Sequence, residues 1–335
     1  MIKTFLETLT PMLTLFICMA IGFALRILKI LPKSAGEVMS KLLVWVFCPA
    51  ISFSSMAKFF TVETIGVHLT NLLLGSVGAI IAIGLAIFIA GFIIKKKSNE
   101  QGVYQYALAF GNSGYVGEPI VMAIFGDVGL FFYKICCLPI NIAIYTWGLK
   151  VLTPKDIERK SALKGLFNAP MVALFIGIIV GITGLGDILY SSSSLKFFTN
   201  SVDMLKDCMG PVAMLLAGLT VANYSLEKMF KNKKVYIATL FRLVIIPIIL
   251  IAVMFGIKEL VNLIFSLTID NSVLFLLFFA WATPLGLNTV VFPEAYGGDP
   301  STGASMAMIS HTLCVISIPL MYALMVFVFG SAPIF

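Results

Sequence analysis

Phe110-Gly111-Asn112-Ser113-Gly114-Tyr115-Val116-Gly117-Glu118-Pro119 sits in the middle of an apolar segment running from about Val103 to Phe125. Three glycines, a proline and a carboxylate make a poor spanning helix. Glycine costs about 1 kcal/mol and proline about 3 kcal/mol in a helix interior. In hydrocarbon, backbone groups freed by a break must find partners in protein or lined water. A second break, Ala282-Thr283-Pro284-Leu285-Gly286-Leu287-Asn288-Thr289, interrupts the apolar segment from Ser272 to Phe292. Paired breaks in the two halves of a membrane chain point to a transporter's substrate site.

Composition sets the class. The chain is 60% hydrophobic and 12% charged, against about 25% charged in a soluble domain. It therefore reads as an all-α polytopic membrane protein. The net charge of +7 comes from short basic blocks between apolar runs, which act as topology signals and not as a nucleic-acid surface. The six cysteines all lie in apolar segments, with no metal-ligand spacing and no disulfide framework. The N-terminus shows no cleavable signal.

A spanning helix needs about 20 mainly apolar residues. Ten segments qualify, roughly 8–29, 36–56, 66–94, 103–125, 129–151, 169–184, 197–222, 235–257, 272–297 and 303–329. The fourth and ninth carry the breaks. With the N-terminus outside, sixteen lysines and arginines fall in inner loops and five in outer segments. That bias orients the chain with both termini outside the cytoplasmic membrane.

An internal repeat agrees with this layout. Pro11-Met12-Leu13-Thr14-Leu15-Phe16-Ile17 resembles Pro170-Met171-Val172-Ala173-Leu174-Phe175-Ile176, and Gly22 matches Gly181 at the same offset. Pro49 then pairs with Pro211, Asn112 with Asn288, and Pro139 with Pro319. Five spans per copy is odd, so the second copy is inverted. Residues 1–152 form the first five-helix repeat, 153–168 a cytoplasmic linker and 169–335 the second repeat.

Asn112 lies nine residues into its span, roughly 14 Å deep and near the bilayer centre. Asn288 falls at a similar depth. Each carboxamide offers donors and an acceptor without charge, to hold a ligand or to satisfy the broken backbone. Thr283-Pro284 reads as an N-cap and first helical residue, and Glu118-Pro119 likewise, with Ser113 a second cap upstream. Half-helix N-termini would then face the midplane and favour an anion, a carboxylate above all. The substrate-binding set is Asn112, Ser113, Gly114, Tyr115, Pro284, Asn288 and Thr289. Gly111, Gly117, Pro119 and Gly286 are the break residues.

Ionisable residues inside spans are costly and suspect by default. Glu118 and His311 are the candidate coupling residues, for H⁺ or Na⁺. His311 reads equally as a hydrogen-bonded core histidine. Lys134 is expected near the outer face, free to snorkel, and Arg242 to reach the cytoplasmic face. Asp127 and Asp299 are expected to cap the helices that follow them.

Gly111-Asn112-Ser113-Gly114-Tyr115-Val116-Gly117-Glu118-Pro119, with Pro284-Leu285-Gly286-Leu287-Asn288 and Tyr296-Gly297-Gly298-Asp299, resembles the auxin efflux carrier family, in particular its bacterial malate or malonate permeases. The resemblance covers nearly the whole chain. It implies an elevator-type carrier with ten helices in two inverted repeats and crossing helices 4 and 9. Helices 1, 2, 6 and 7 would form a scaffold, often homodimeric. Helices 3–5 and 8–10 would form the moving transport domain, with a small organic anion bound near Asn112 and Asn288. The central loop is shorter here than in plant members, and Glu118 stands where the family usually has an apolar residue. Bile acid:sodium symporters share the general architecture, which keeps sodium coupling open.

Two other classes compete with this reading. Gly126-Asp127 and Gly298-Asp299 superficially resemble the paired aspartates of intramembrane proteases. The topology sets those residues some 30 Å apart on opposite faces, whereas a dyad must share one proton. A carrier fold kept as a ligand sensor is the other alternative. No nucleotide-binding motif is present, and neither an organic cofactor nor a resident metal is expected.

Overall fold

A computed structural model describes residues 2–62, 65–95, 98–152, 167–223, 232–266, 269–290, 293 and 301–330. Among these residues all regular structure is helical. In chain order the helices are α1 (Ile2–Ile27), α2 (Ala35–Phe59), α3 (Ile65–Ile93), α4 (Asn99–Ala109), α5 (Ser113–Leu152), α6 (Ala169–Ile182), α7 (Leu185–Ser191), α8 (Lys196–Ala222), α9 (Lys233–Phe265), α10 (Ser272–Ala282) and α11 (Ser301–Phe329). Six runs are long and apolar enough to cross a membrane: Ala35–Phe59, Leu69–Ile93, Ser113–Leu152, Ser193–Ala222, Lys233–Phe265 and Ser301–Phe329. α6 and α7 add a pair bent by 92°. The chain is a multi-pass membrane protein. Most of the linker, residues 153–166, and the Tyr296-Gly297-Gly298-Asp299 motif lie outside the described residues.

α5 is a hairpin. Gly126 has φ 68° and ψ −164°, a conformation that a residue with a Cβ rarely adopts. Glu118 and Lys134 are sixteen residues apart, which in a straight helix would separate them by about 24 Å. Their charged groups instead meet at 2.7 Å, so the chain folds back at Gly126. Asp127, expected to cap the second limb, instead receives Lys206 Nζ at 2.9 Å.

Three widened, π-type turns share one cause. They span Leu43–Phe47, Ser113–Gly117 and Phe241–Ile245, and each ends two residues before a proline: Pro49, Pro119 and Pro247. Proline has no N–H to give and its ring crowds the carbonyl four residues back, which is the central residue of each turn. Opening the turn relieves that clash and re-aims the side chains around it.

Two helix pairs dominate the packing away from the breaks: α1 with α8, and α2 with α6. Gly22 lets α1 approach the Leu215 carbonyl of α8. Gly181 lets α6 approach the Phe60 carbonyl just past the end of α2. Small residues permit such backbone approach where no hydrophobic force drives helices together. α10 is apolar and buried on every side from Val273 to Ala282, as a helix enclosed by others must be.

Candidate functional site

The two breaks satisfy each other. Phe110 and Thr283 end α4 and α10 in extended conformation. Gly111 and Leu285 then pair as an antiparallel β-bridge. Asn112 N–H donates to Pro284 O at 2.7 Å, and Gly286 N–H donates to Phe110 O at 3.3 Å. Four of the backbone groups that the interruptions free are thereby paired with each other. Arg242, in the π turn of α9, lies beneath the bridge, 1% exposed. Its Nε donates to Thr283 O and its Nη1 to Leu108 O, each at 3.2 Å. One guanidinium thus serves carbonyls at the C-terminal ends of both interrupted helices, where positive charge is favoured.

Helix starts differ from expectation. Asn112, not Ser113 or Glu118, caps the half-helix after the first break: its Oδ1 accepts from Tyr115 N–H at 3.2 Å. Glu118-Pro119 lies one turn further in. Thr283-Pro284 does not open a helix either. Thr283 is the last cap of α10, and helix resumes only at Asn288. The extended pairing with Gly111 claims the residues between.

Asn112 Nδ2 meets His311 Nε2 at 3.2 Å, and His311 Nδ1 meets Ala307 O at 2.7 Å. A carbonyl can only accept and an amide nitrogen only donate. Nδ1 therefore carries the proton, and a neutral ring accepts from Asn112. His311 is 1% exposed, with Nδ1 held by Ala307 O and Nε2 by Asn112. Asn288 Nδ2 donates to Tyr106 Oη at 3.0 Å.

A cavity of about 150 Å³ lies against this crossing. Asn112, Ser113, Gly114, Tyr115, Gly286 and Asn288 line it on one side. Val44, Cys48 and Ser52 of α2 and Pro170, Met171 and Leu174 of α6 close the other. The first N–H groups of the half-helix, those of Ser113 and Gly114, have no acceptor inside the helix. Gly111 lines the cavity; Gly117, Pro119, Pro284 and Thr289 do not. Thr289 is fully buried, its hydroxyl on Gly286 O at 2.9 Å. Val44, Tyr115, Tyr145, Leu287 and Asn288 also line a neighbouring vestibule of about 700 Å³. The vestibule opens at the end of the molecule that carries Lys33, Glu37 and Lys41.

The family described as membrane transport protein matches residues 7–322. The chain belongs to this family. It is the auxin efflux carrier family that the two break motifs resemble. A relative in Methanocaldococcus jannaschii, described as an uncharacterized transporter, is 24% identical over 311 residues, covering 92% of this chain and 96% of its own.

Three ionic residues of this membrane transport protein, Lys134, Arg242 and Asp127, lie in other surroundings than their sequence position suggests. Lys134 does not snorkel: it is 5% exposed and ion-paired with Glu118 in the cavity wall. Arg242 does not reach a membrane face but supports the crossing. At the end opposite the vestibule, Asp127 at the hairpin tip takes Lys206 of α8, and Asp203 takes Lys58 of α2 at 3.2 Å. Ser54 donates to Asp203 at 3.1 Å, and the Tyr190 ring lies under Lys58. Prolines were the available signal for Arg242, since Pro247 implies a distorted turn beside it. No local signal existed for the Lys134 and Asp127 pairings.

Proposed function

We propose that the chain is a secondary carrier that moves a small organic anion, a carboxylate of malate or malonate type, across the cytoplasmic membrane. The observation that carries this reading is the cavity at the crossing. It combines the N-terminus of a half-helix with the buried Arg242 behind it, both of which favour an anion, and the uncharged carboxamides of Asn112 and Asn288. Its small volume suits a short organic acid better than an indole acid.

The mechanism we propose is an elevator. The cavity lies between the crossing and helices α2 and α6, so displacement of one body against the other would expose the site alternately. In this reading ten crossings form two inverted halves. The equivalent α1–α8 and α2–α6 packing, through Gly22 and Gly181, supports that symmetry. Those four helices form the scaffold and the homodimer surface, with both termini outside. The open vestibule then faces the cytoplasm.

The test is a melting screen of purified protein against dicarboxylates, keto acids and indole acids, followed by flux of the stabilising acid in proteoliposomes. A ligand that binds the folded form raises its melting temperature. Stabilisation with accumulation supports the carrier; stabilisation without flux indicates a sensor; no response to any organic anion refutes the reading.

A further inference from the structure

Glu118 faces the cavity from the half-helix that Asn112 caps. A bare carboxylate there would repel the anion the site is built to take. The structure supplies its counter-charge from within. Lys134, on the returning limb of α5, places Nζ 2.7 Å from Glu118 Oε1 and donates to Ser52 Oγ at 3.3 Å. The side chains are 14% and 5% exposed, and both line the cavity with Cys48 and Ser52. Lys134 therefore stands where a small cation would have to sit to neutralise Glu118. A bound sodium ion would take the same two oxygens, but it dissociates; an ammonium on a four-carbon tether does not.

We propose that Lys134 is a covalently tethered counter-cation occupying the position of a dissociable coupling ion, so that the site works without sodium. The consequence for transport rests on the carrier reading; the consequence for ion binding does not. With Lys134 removed, Glu118 and Ser52 are left facing a vacant, cation-sized position. Lys134→Ala should therefore create a sodium site that the native protein lacks.

The experiment measures melting of purified wild type, Lys134→Ala, Lys134→Gln and the double variant Lys134→Ala/Glu118→Gln in NaCl and in choline chloride of equal ionic strength. Wild type should melt at the same temperature in both salts. Lys134→Ala should show a saturable rise of about 2 °C at sodium tenfold above its dissociation constant. The double variant, with no carboxylate, should show none. A sodium-specific rise in wild type overturns the proposal, and so does a folded Lys134→Ala indifferent to sodium. If Lys134→Ala does not fold, Lys134→Gln and the wild-type comparison decide. Wild-type uptake in proteoliposomes, with sodium or choline outside, separates the two readings. Sodium-stimulated uptake sinks the tethered cation and keeps the carrier. Absence of any uptake, with melting as expected, sinks the carrier and keeps the ion pair.

Discussion

Replacing Asn112 with alanine should cost stability as well as ligand affinity, and the structure sets the size. The carboxamide does two local jobs. Its Oδ1 caps the half-helix at Tyr115 N–H, and its Nδ2 satisfies His311 Nε2. Loss of an N-cap costs roughly 0.5–2 kcal/mol. A buried acceptor left without a donor costs roughly 1–3 kcal/mol. The sum is about 1.5–5 kcal/mol. With an unfolding entropy near 2.1 cal/mol/K per residue, a chain of 335 residues loses roughly 1.4 °C per kcal/mol. Asn112→Ala should therefore melt about 2–7 °C below wild type. Asn288 makes one described side-chain hydrogen bond, to Tyr106, and opens on the cavity. Asn288→Ala should fall by about 1–2 °C. Asn112→Ser keeps a cap but cannot reach His311, and should recover part of the loss. The assay is thermal unfolding of purified variants without ligand, followed by ligand titration. If Asn112→Ala melts within a degree of wild type, its two bonds contribute nothing and the assigned histidine tautomer loses its basis.

Gly111→Ala places a methyl against the Arg242 guanidinium and the Thr283 hydroxyl; overpacking of this kind costs about 1–3 kcal/mol, and a melting temperature equal to wild type would contradict the packing of the bridge on Arg242. Asp127→Asn cuts the tie between the hairpin tip and Lys206. For a partly exposed pair that tie contributes about 1 kcal/mol, or roughly fivefold in a population ratio. Spin labels at Val128 and Ser201 should then report an added, longer distance, and an unchanged distribution would show that the ion pair does not hold the hairpin tip to α8. A cysteine at Ser98 should be shielded from impermeant thiol reagents in intact cells while one at Ser192 labels; the reverse pattern would invert the proposed orientation.

The breaks were legible because their causes are local. Glycine, proline and asparagine within ten residues spoil a helix wherever it is placed, so the position of the breaks followed from propensity alone. Six apolar runs long enough to cross a membrane were legible from run length; the turn at Gly126 was only bracketed by the spacing of two apolar runs. Pairings between distant residues were not. A lysine eight residues past a turn looks able to reach solvent. Only the fold-back at Gly126 reveals that Glu118, sixteen residues earlier, holds it inside. Asp127 looked like a cap because the partner that claims it lies 79 residues later. Thr283-Pro284 carried a helix-start signal that lost to tertiary pairing: its backbone completes the bridge to Gly111, which local propensity does not register.

The bridge between Gly111 and Leu285 also dictates an order of assembly. Its two strands are 174 residues apart. At a synthesis rate of roughly 5–20 residues per second, the first break emerges about 9–35 s before its partner exists. Through that interval the Phe110 carbonyl and the Asn112 N–H have no native acceptor or donor to meet. The first break must therefore wait in contact with water or with the insertion machinery. It can enter hydrocarbon only when residues 284–286 arrive. The N-terminal half synthesised alone should be held at that stage and cleared by proteolysis, whereas co-expression with the C-terminal half should rescue both. Each break is thus the other's template, and damage at Pro284 or Gly286 would surface as a biogenesis defect in the half of the protein that was made first.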